Sequence, residues 1–155
     1  MWAIISIRVE NKPGILFKVT HLFRSRNFNI DSLTVGVMEN PEFSKMVITT
    51  VGDEKQIVQI VKQLDKMIDT IEVKRLDEKK TVYKELVLFK IKLSGSSDST
   101  EINYLGLICG ADPHTVQKVA MIVELTATPD EIKAFEESIR PFGILDSART
   151  GVTAL

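Results

Sequence analysis

The sequence is poor in the residues that build disulfides and metal sites. It has one cysteine, Cys109, and two histidines, His21 and His114, that lie far apart in the chain. A lone cysteine excludes an internal disulfide, and this set provides no ligands at the spacing of a zinc site. We interpret Cys109 as a small buried residue, His21 as a partly exposed helix residue and His114 as a turn residue. We therefore expect no metal ion on this chain.

An excess of charge of one sign and long apolar runs are also missing. The chain has 20 Lys and Arg residues against 21 Asp and Glu residues, which gives a formal net charge of -1. This balance gives no reason to expect nucleic acid or an anionic membrane as a partner. No apolar run approaches the roughly 18 residues of a membrane helix, and the opening MWAIISIRVE lacks the basic region and cleavage site of a signal peptide. We expect a soluble, cytoplasmic protein.

Motifs of catalysis and cofactor binding are absent from the sequence as well. There is no G-x-G-x-x-G after a strand, no G-x-x-x-x-G-K-[ST] loop and no G-x-S-x-G elbow. The hydroxyl-rich stretch SGSSDST has no neighbouring histidine, so we interpret it as a polar loop that runs into a helix. We predict a chain that is not an enzyme and has no catalytic residue and no cofactor of its own. Four methionines in predicted strands or helices are interpreted as core residues: Met38, Met46, Met67 and Met121.

What the sequence does contain is a regular succession of strand and helix patterns. In WAIISIRVE, the apolar residues Ile5, Ile7 and Val9 alternate with polar ones, which is typical of a half-buried strand. A helical period follows Pro13-Gly14, and then the strand-like runs NIDSLTVGVM and FSKMVITTV. The predicted apolar positions are Ile15, Val19, Leu22 and Phe23 in the helix, and Ile30, Leu33, Val35 and Val37 in the strand after it.

A second helix and a fourth strand complete this first unit. Asp53 with Gln56 three residues later forms the pattern of a capping box, and TIEVKRL has the composition of a strand. The order is βαββαβ, the ferredoxin-like arrangement. The predicted apolar stripe of the second helix consists of Ile57, Ile60, Val61, Leu64 and Ile68.

The same order of elements recurs in the second half. After the charged stretch DEKKTVYKE come a strand ELVLFKIKL, a weaker helix capped by Ser97 or Asp98, and the strand-like runs LICGA and VAMIVELTA. Thr128-Pro129-Asp130-Glu131 is a helix opening with Thr as N-cap; Ile132, Phe135 and Ile139 give that helix its buried stripe, and GILDSARTGV is a closing strand. We predict an α+β protein of two ferredoxin-like domains, at 1–76 and 85–155, joined by a linker at 77–84.

The segment around the first predicted helix is the candidate binding site. The N-terminus of a helix offers unpaired N–H groups to a carboxylate, and Gly14 lets a ligand approach the backbone. Asn11 and Asn29 each provide a donor and an acceptor. Ile15, Leu16 and Ile30 are available to an aliphatic group, so the set suits a small zwitterion with an apolar tail. Each residue also has a structural interpretation: Asn11 as a helix cap, Pro-Gly as a turn, and Asn29 as the start of a strand.

Two of these stretches resemble a known family. SIRVENKPGILFKVTHLFRSRNFNIDSLTVG is similar to the first ACT domain of acetolactate synthase (acetohydroxyacid synthase) small, regulatory subunits. The family motif is roughly E/H-N-x-x-G-x-L/M-x-[RK]-V followed by G-[YF]-N-I-x-S-L-[TS]-V, which corresponds here to Glu10–Val19 and Asn27–Val35. The similarity continues through Ser44–Val73, and ARTGV (Ala148–Val152) resembles the closing strand of the family.

The resemblance implies a regulatory role in branched-chain amino acid biosynthesis. ACT domains of two copies would join side by side in a dimer or higher oligomer, with an effector site at the interface. Valine or another branched-chain amino acid would place its carboxylate at the N–H groups of Gly14–Leu16 and at Asn11. Asn29 and Ile30 would complete the pocket from the neighbouring subunit. The partner would be the large catalytic subunit, which carries thiamine diphosphate, magnesium and FAD; this chain would activate it and confer feedback inhibition by valine.

The second half departs from the family pattern. Tyr104–Ala111 reads YLGLICGA where F-R-G-x-I-x-D-V is usual, and Lys84-Glu85 stands where Arg-Glu is common. These departures concern the contacts of the second domain. Two alternatives stay open: a stand-alone ACT-type amino-acid sensor acting on another target, and a small enzyme on a ferredoxin-like fold. The choice among valine, leucine and isoleucine also stays open, since a methylene is worth only about 1–3 kcal/mol in a pocket.

Overall fold

The computed structural model describes residues 1–95, 97–116 and 119–155, without the side chains of residues 108 and 114–116. The chain forms two compact units. The first consists of Met1–Tyr83 together with Val152–Leu155, and the second of Lys84–Gly151. The predicted α+β class with two βαββαβ patterns is confirmed. No helix among the described residues is long and apolar enough to cross a membrane.

The first unit packs two helices on one face of an antiparallel sheet with strand order β2-β3-β1-β4. The alternation of β1 sends Ile5, Ile7 and Val9 toward the helices, where all three are fully buried. The predicted capping box of Asp53 and Gln56 opens α2 and is confirmed. The elements are β1 (Trp2–Glu10), α1 (Ile15–Ser25), β2 (Ser32–Val37), β3 (Phe43–Val51), α2 (Glu54–Asp65) and β4 (Thr70–Leu76).

The second unit repeats this topology, with strand order β6-β7-β5-β8. Thr128 is the N-cap of α4, with Pro129 as its first residue and Glu131 closing the capping box, as predicted. The stripe of Ile132, Phe135 and Ile139 is fully buried, and it packs in the same core as Val123 and Leu125 of β7. The elements are β5 (Tyr83–Lys92), α3 (Asp98–Cys109), β6 (Asp112–Val116), β7 (Ala120–Ala127), α4 (Pro129–Ile139), a 3-10 turn (Arg140–Phe142) and β8 (Ile144–Arg149), followed by the short β9 (Thr153–Ala154) of the first unit.

Several predictions in the second unit are wrong. LICGA is not a strand, because α3 continues to Cys109 and ends at Gly110, whose φ of 73 suits a helix C-cap. The strand beside β7 at one edge of the sheet is β6 instead, so His114 lies in a strand rather than a turn. Cys109 is exposed rather than buried. Ser97 is the N-cap of α3 without a side-chain cap bond, while the Asp98 carboxylate accepts hydrogen bonds from the N–H groups of the preceding loop.

Some apolar residues of the first unit also differ from the predicted pattern. Ile68 lies beyond α2, which ends at Asp65, and its side chain is 94% exposed. Met46 and Met121 are buried in strands as predicted, whereas Met38 and Met67 lie outside helices and strands and are half-buried. A helical stripe extrapolated past the true end of a helix assigns burial to a turn residue, which explains Ile68.

The segment Val152–Leu155 differs from the predicted domain boundaries. It falls within the predicted domain at 85–155, yet the structure groups it with the first unit, and Tyr83, from the predicted linker, is the first residue of β5. The physical reason is apolar complementarity. Val152 and Ala154 are 1% and 6% exposed because they pack on Ile4 and Val47, on the sheet face opposite the helices.

Candidate functional site

The N-terminus of α1 lacks the side-chain cap that opens α2 and α4. Its N-cap is Gly14, in the left-handed region with φ of 85, and no side chain caps the helix. No acidic residue lies in its first turn, whereas the first turns of α2 and α4 contain Glu54 and the pair Asp130 and Glu131. The first N–H groups of a helix have no intrahelical acceptor, and the helix dipole adds partial positive charge there. This end of α1 is therefore suited to an external carboxylate.

Asn11 is held beside this helix end by the turn between β2 and β3. Its side-chain amide donates a hydrogen bond to the Pro41 carbonyl at 2.9 Å, and its backbone N–H donates to the Glu42 carbonyl at 2.7 Å. Asn11 is not the helix cap, so that structural interpretation is wrong. The amide oxygen and the second amide hydrogen of Asn11 are left for a ligand.

Ile15 and Leu16 offer different groups to a ligand. The Ile15 side chain is 3% exposed and belongs to the core, so only its backbone N–H can face a ligand. That N–H makes a long hydrogen bond of 3.4 Å to the Lys12 carbonyl. Leu16 is 44% exposed and presents its side chain at the surface. The first turn thus combines polar backbone groups with one accessible aliphatic side chain.

Asn29 and Ile30 lie in the loop that leads into β2. The Asn29 side-chain amide donates to the Asp31 carboxylate at 2.6 Å, and the Asn29 carbonyl accepts from the buried Thr50 hydroxyl at 2.6 Å. Ile30 is half-buried against the core. A surface pocket brings these two residues together with further side chains from the end of α1: Thr20, Phe23, Arg24, Asn27 and Phe28.

The two sets of predicted site residues lie at opposite ends of α1. Gly14 precedes the helix and Asn29 follows it. A helix of 11 residues is about 16 Å long at 1.5 Å per residue. A ligand the size of an amino acid cannot contact both ends. The predicted site residues of one chain therefore form two separate sets, one at Asn11–Leu16 and one at Asn29–Ile30, which we call the two candidate half-sites.

The neighbouring strand β2 is at the edge of its sheet and has an exposed apolar surface. The sequence predicts Val35 and Val37 on a buried face with Leu33, but the two valines are 48% and 63% exposed. Leu33 alone of these three packs against the core. Edge strands carry unpaired backbone groups that pair readily with another strand.

Charges near the start of α1 are balanced in pairs. The Glu10 carboxylate, 2.5 Å from the Lys12 ammonium, accepts a hydrogen bond from it and raises the Lys12 pKa. The Lys18 ammonium pairs with the nearly buried Asp69 carboxylate at 2.5 Å. With these charges paired, the backbone N–H groups of the first turn remain as an attraction for an anion.

Sequence reasoning missed the residues that position the second half-site. The pattern FSKMVITTV indicates only that Thr50 lies in a strand, whereas in the structure its hydroxyl donates to the Asn29 carbonyl. Asn27, the residue at the Gly position of the family motif, has φ of 57, a conformation that Asn tolerates better than most side chains. The Gly-to-Asn match was a usable signal for this turn. Among the described residues, no cluster of His, Cys, Asp and Glu could hold a metal ion.

Comparison with known proteins identifies the family. Residues 5–72 match the model of the AHAS small subunit-like ACT domain, and residues 84–155 match that of the small subunit of acetolactate synthase. The probable acetolactate synthase small subunit of Methanothermobacter thermautotrophicus is 42% identical over 98% of this chain and 90% of its own length. The acetolactate synthase isozyme 3 small subunit of Salmonella typhimurium is 39% identical over 100% of this chain and 95% of its own.

A solved structure agrees with these sequence matches. The crystal structure of the acetolactate synthase small subunit from Thermotoga maritima superposes with a TM-score of 0.91 and 34% sequence identity, over 100% of this chain and 96% of that one. The matches cover both units and nearly the full length of each relative. The chain belongs to the family of acetolactate synthase small subunits, the regulatory partners of a catalytic subunit.

Proposed function

We propose that this chain is a non-catalytic, cytoplasmic regulatory subunit that binds valine or another branched-chain amino acid between two of its copies. It activates the thiamine-diphosphate-dependent catalytic subunit, and the bound amino acid provides feedback inhibition. The observation that carries the proposal is the uncapped first turn of α1 at Gly14. An amino acid carboxylate supplies the acceptor that no side chain of the first turn provides.

The separation of the two half-sites supports an interface site. The half-site at Asn11–Leu16 offers N–H groups and an amide, and the half-site at Asn29–Ile30 offers a second amide and an aliphatic side chain. A second copy beside the exposed edge of β2 brings one half-site of each type together. The effector then stabilises one dimer geometry over others, which is a route to control of an attached enzyme.

Isothermal titration of the purified chain with L-valine tests the binding step. Leucine and isoleucine test whether the pocket distinguishes side chains of different size and shape, and D-valine is the stereochemical control. We expect saturable binding of about one valine per chain or one per two chains, as an interface site requires. Equal heats for L- and D-valine, or no saturable heat for any of the branched-chain amino acids, would contradict the proposal.

The regulatory step is tested with the catalytic partner present. Reconstitution of the catalytic subunit with this chain should raise acetolactate formation, and added valine should reverse that increase. Coupling of about 1–3 kcal/mol corresponds to a change of about 5- to 150-fold. Binding of valine without any effect on the activity of the reconstituted enzyme would instead support a sensor for another target.

A further inference from the structure

The motif ARTGV ends at Val152, which contacts β2, the strand that follows the loop with Asn29 and Ile30. The Val152 N–H donates to the Ser32 hydroxyl at 3.2 Å, and the Thr34 hydroxyl donates to the Val152 carbonyl at 2.8 Å. Ser32 and Thr34 belong to β2, the edge strand that pairs with β3 in the sheet. Both backbone groups of Val152 are thus used to hold the side chains of one edge strand.

The segment Val152–Leu155 is itself firmly anchored in the first unit. Val152 and Ala154 pack with Ile4 and Val47, and all four are nearly buried. Leu155 and Val82 exchange two backbone hydrogen bonds, each of 2.9 Å. These contacts bury apolar surface and satisfy backbone groups together, so the segment is an integral part of the fold rather than a loose end.

The same hydrogen-bond network continues to the half-site at Asn29–Ile30. The Ser32 hydroxyl, held by Val152, lies 2.7 Å from the Thr49 hydroxyl, and the Asp31 N–H donates to the Thr49 carbonyl at 2.9 Å. The next residue of β3, Thr50, holds the Asn29 carbonyl. The chain from Asn29 to Ser32 is therefore fixed from two directions.

From this network we propose that Val152–Leu155 acts as a strap that sets the position of β2 and thereby the affinity of the effector site. Ser32 and Thr34 are its positioning residues; they hold the strand and do not touch the effector. The strap is joined covalently to the second unit at Gly151, so it gives that unit a direct connection to β2. The effect on affinity rests on the function proposed above, whereas the effect on β2 does not.

The first test removes the hydroxyl groups that hold the strap. Thr34→Val keeps a β-branched residue and removes one hydrogen bond to Val152. Ser32→Ala removes the other bond to Val152 and also the contact with the Thr49 hydroxyl. We expect each variant to weaken valine binding about 3- to 10-fold, the range that corresponds to one hydrogen bond. Amide hydrogen exchange in Ser32–Val37 should become faster than in wild type, while exchange in β1 should stay unchanged. Thr126→Val, at an exposed position of β7, is the matched control and should change neither quantity.

A third variant keeps the test informative if removal of a hydroxyl group has no effect. Val152→Ala leaves the backbone bonds possible but removes most of the apolar anchor on Ile4 and Val47. It should speed exchange in β2 in the same way. Unchanged exchange in β2 for all three variants overturns the strap, and faster exchange with unchanged valine affinity overturns its link to the effector site. If wild-type protein binds no branched-chain amino acid, the proposed function and that link both fail, while the exchange data still decide whether the strap holds β2.

Discussion

Gly14 is the residue on which the candidate site depends most directly. Its φ of 85 is in the left-handed region, and a Cβ built on it meets no atom within 4 Å. A side chain there costs about 1–2 kcal/mol of conformational energy but creates no clash. Substitutions at Gly14 therefore separate the effect of charge on ligand binding from effects on folding.

We expect Gly14→Asp to abolish valine binding, because its carboxylate takes the place of the ligand carboxylate and repels it. Gly14→Asn has almost the same shape and the same backbone cost without the charge, so it is the matched control. Titration calorimetry should show binding weakened by more than about 50-fold in Gly14→Asp and only several-fold in Gly14→Asn, since one repulsive charge contact is worth a few kcal/mol. Equal affinities of the two variants would place the carboxylate elsewhere.

At the scale of single elements, α4 illustrates a helix whose N-terminus is satisfied from within. The Glu131 carboxylate accepts hydrogen bonds from the Thr128 N–H at 2.8 Å and from the Thr128 hydroxyl at 2.9 Å. These bonds, the backbone one first, lower the pKa of Glu131 below its ordinary value of 4.5. The stabilisation is complete above pH 4.5 and is lost as pH falls through the lower pKa of the folded state.

Glu131→Gln tests this pH dependence because glutamine keeps the capping-box geometry but does not titrate. We expect the variant to be less stable than wild type at pH 7 and the difference to vanish below the folded pKa. Urea unfolding at pH 7 and at a series of pH values below 4.5 measures it. Glu137→Gln, on the same helix and exposed, is the control for the removal of one negative charge from α4. A difference for Glu131→Gln that persists at low pH would assign the stabilisation to packing.

The capping boxes also show which elements were predictable from sequence. Asp53 with Gln56 and Thr128 with Glu131 are local signals, and each fixes the start of a helix without help from distant residues. The end of α3 was mispredicted because Leu107–Cys109 is apolar and β-like, while its helical state depends on the cap at Gly110. The starts of these helices are therefore predictable from local residues, whereas the end of α3 is not.

Whole-molecule features were the least visible in the sequence. The sequence predicts Val152 at the end of a strand in the second unit. Its partners in the structure, Ser32 and Ile4, are more than a hundred residues away along the chain. The buried side chain of Ile15 and the anchoring of Asn11 by Pro41 likewise depend on tertiary contacts. The sequence motif is enough to predict the residues of the candidate site. Only the structure shows that these residues lie at the two ends of α1.

That division leads to a prediction for mixed dimers. Gly14→Asp damages one half-site and Asn29→Ala, at an exposed residue, damages the other, so each variant alone should contain no site of wild-type affinity. In a heterodimer, the intact Gly14 of one copy faces the intact Asn29 of the other, and one of the two sites is restored. Random mixing in equal amounts should therefore recover about a quarter of the wild-type sites.

The mixing experiment requires that the variants form dimers and exchange subunits, which native mass spectrometry of differently tagged chains can verify. Titration of the mixture should then show binding with wild-type affinity and about a quarter of the stoichiometry, because only heterodimers contain an intact pair of half-sites. A mixture of Gly14→Asp with Gly14→Glu carries the same number of altered chains, but the same half-site is damaged in every chain, so it should recover no site. Exchanged dimers that still bind no valine would mean that the two ends of α1 do not meet across an interface, and that Asn29 acts on the effector only through its own chain.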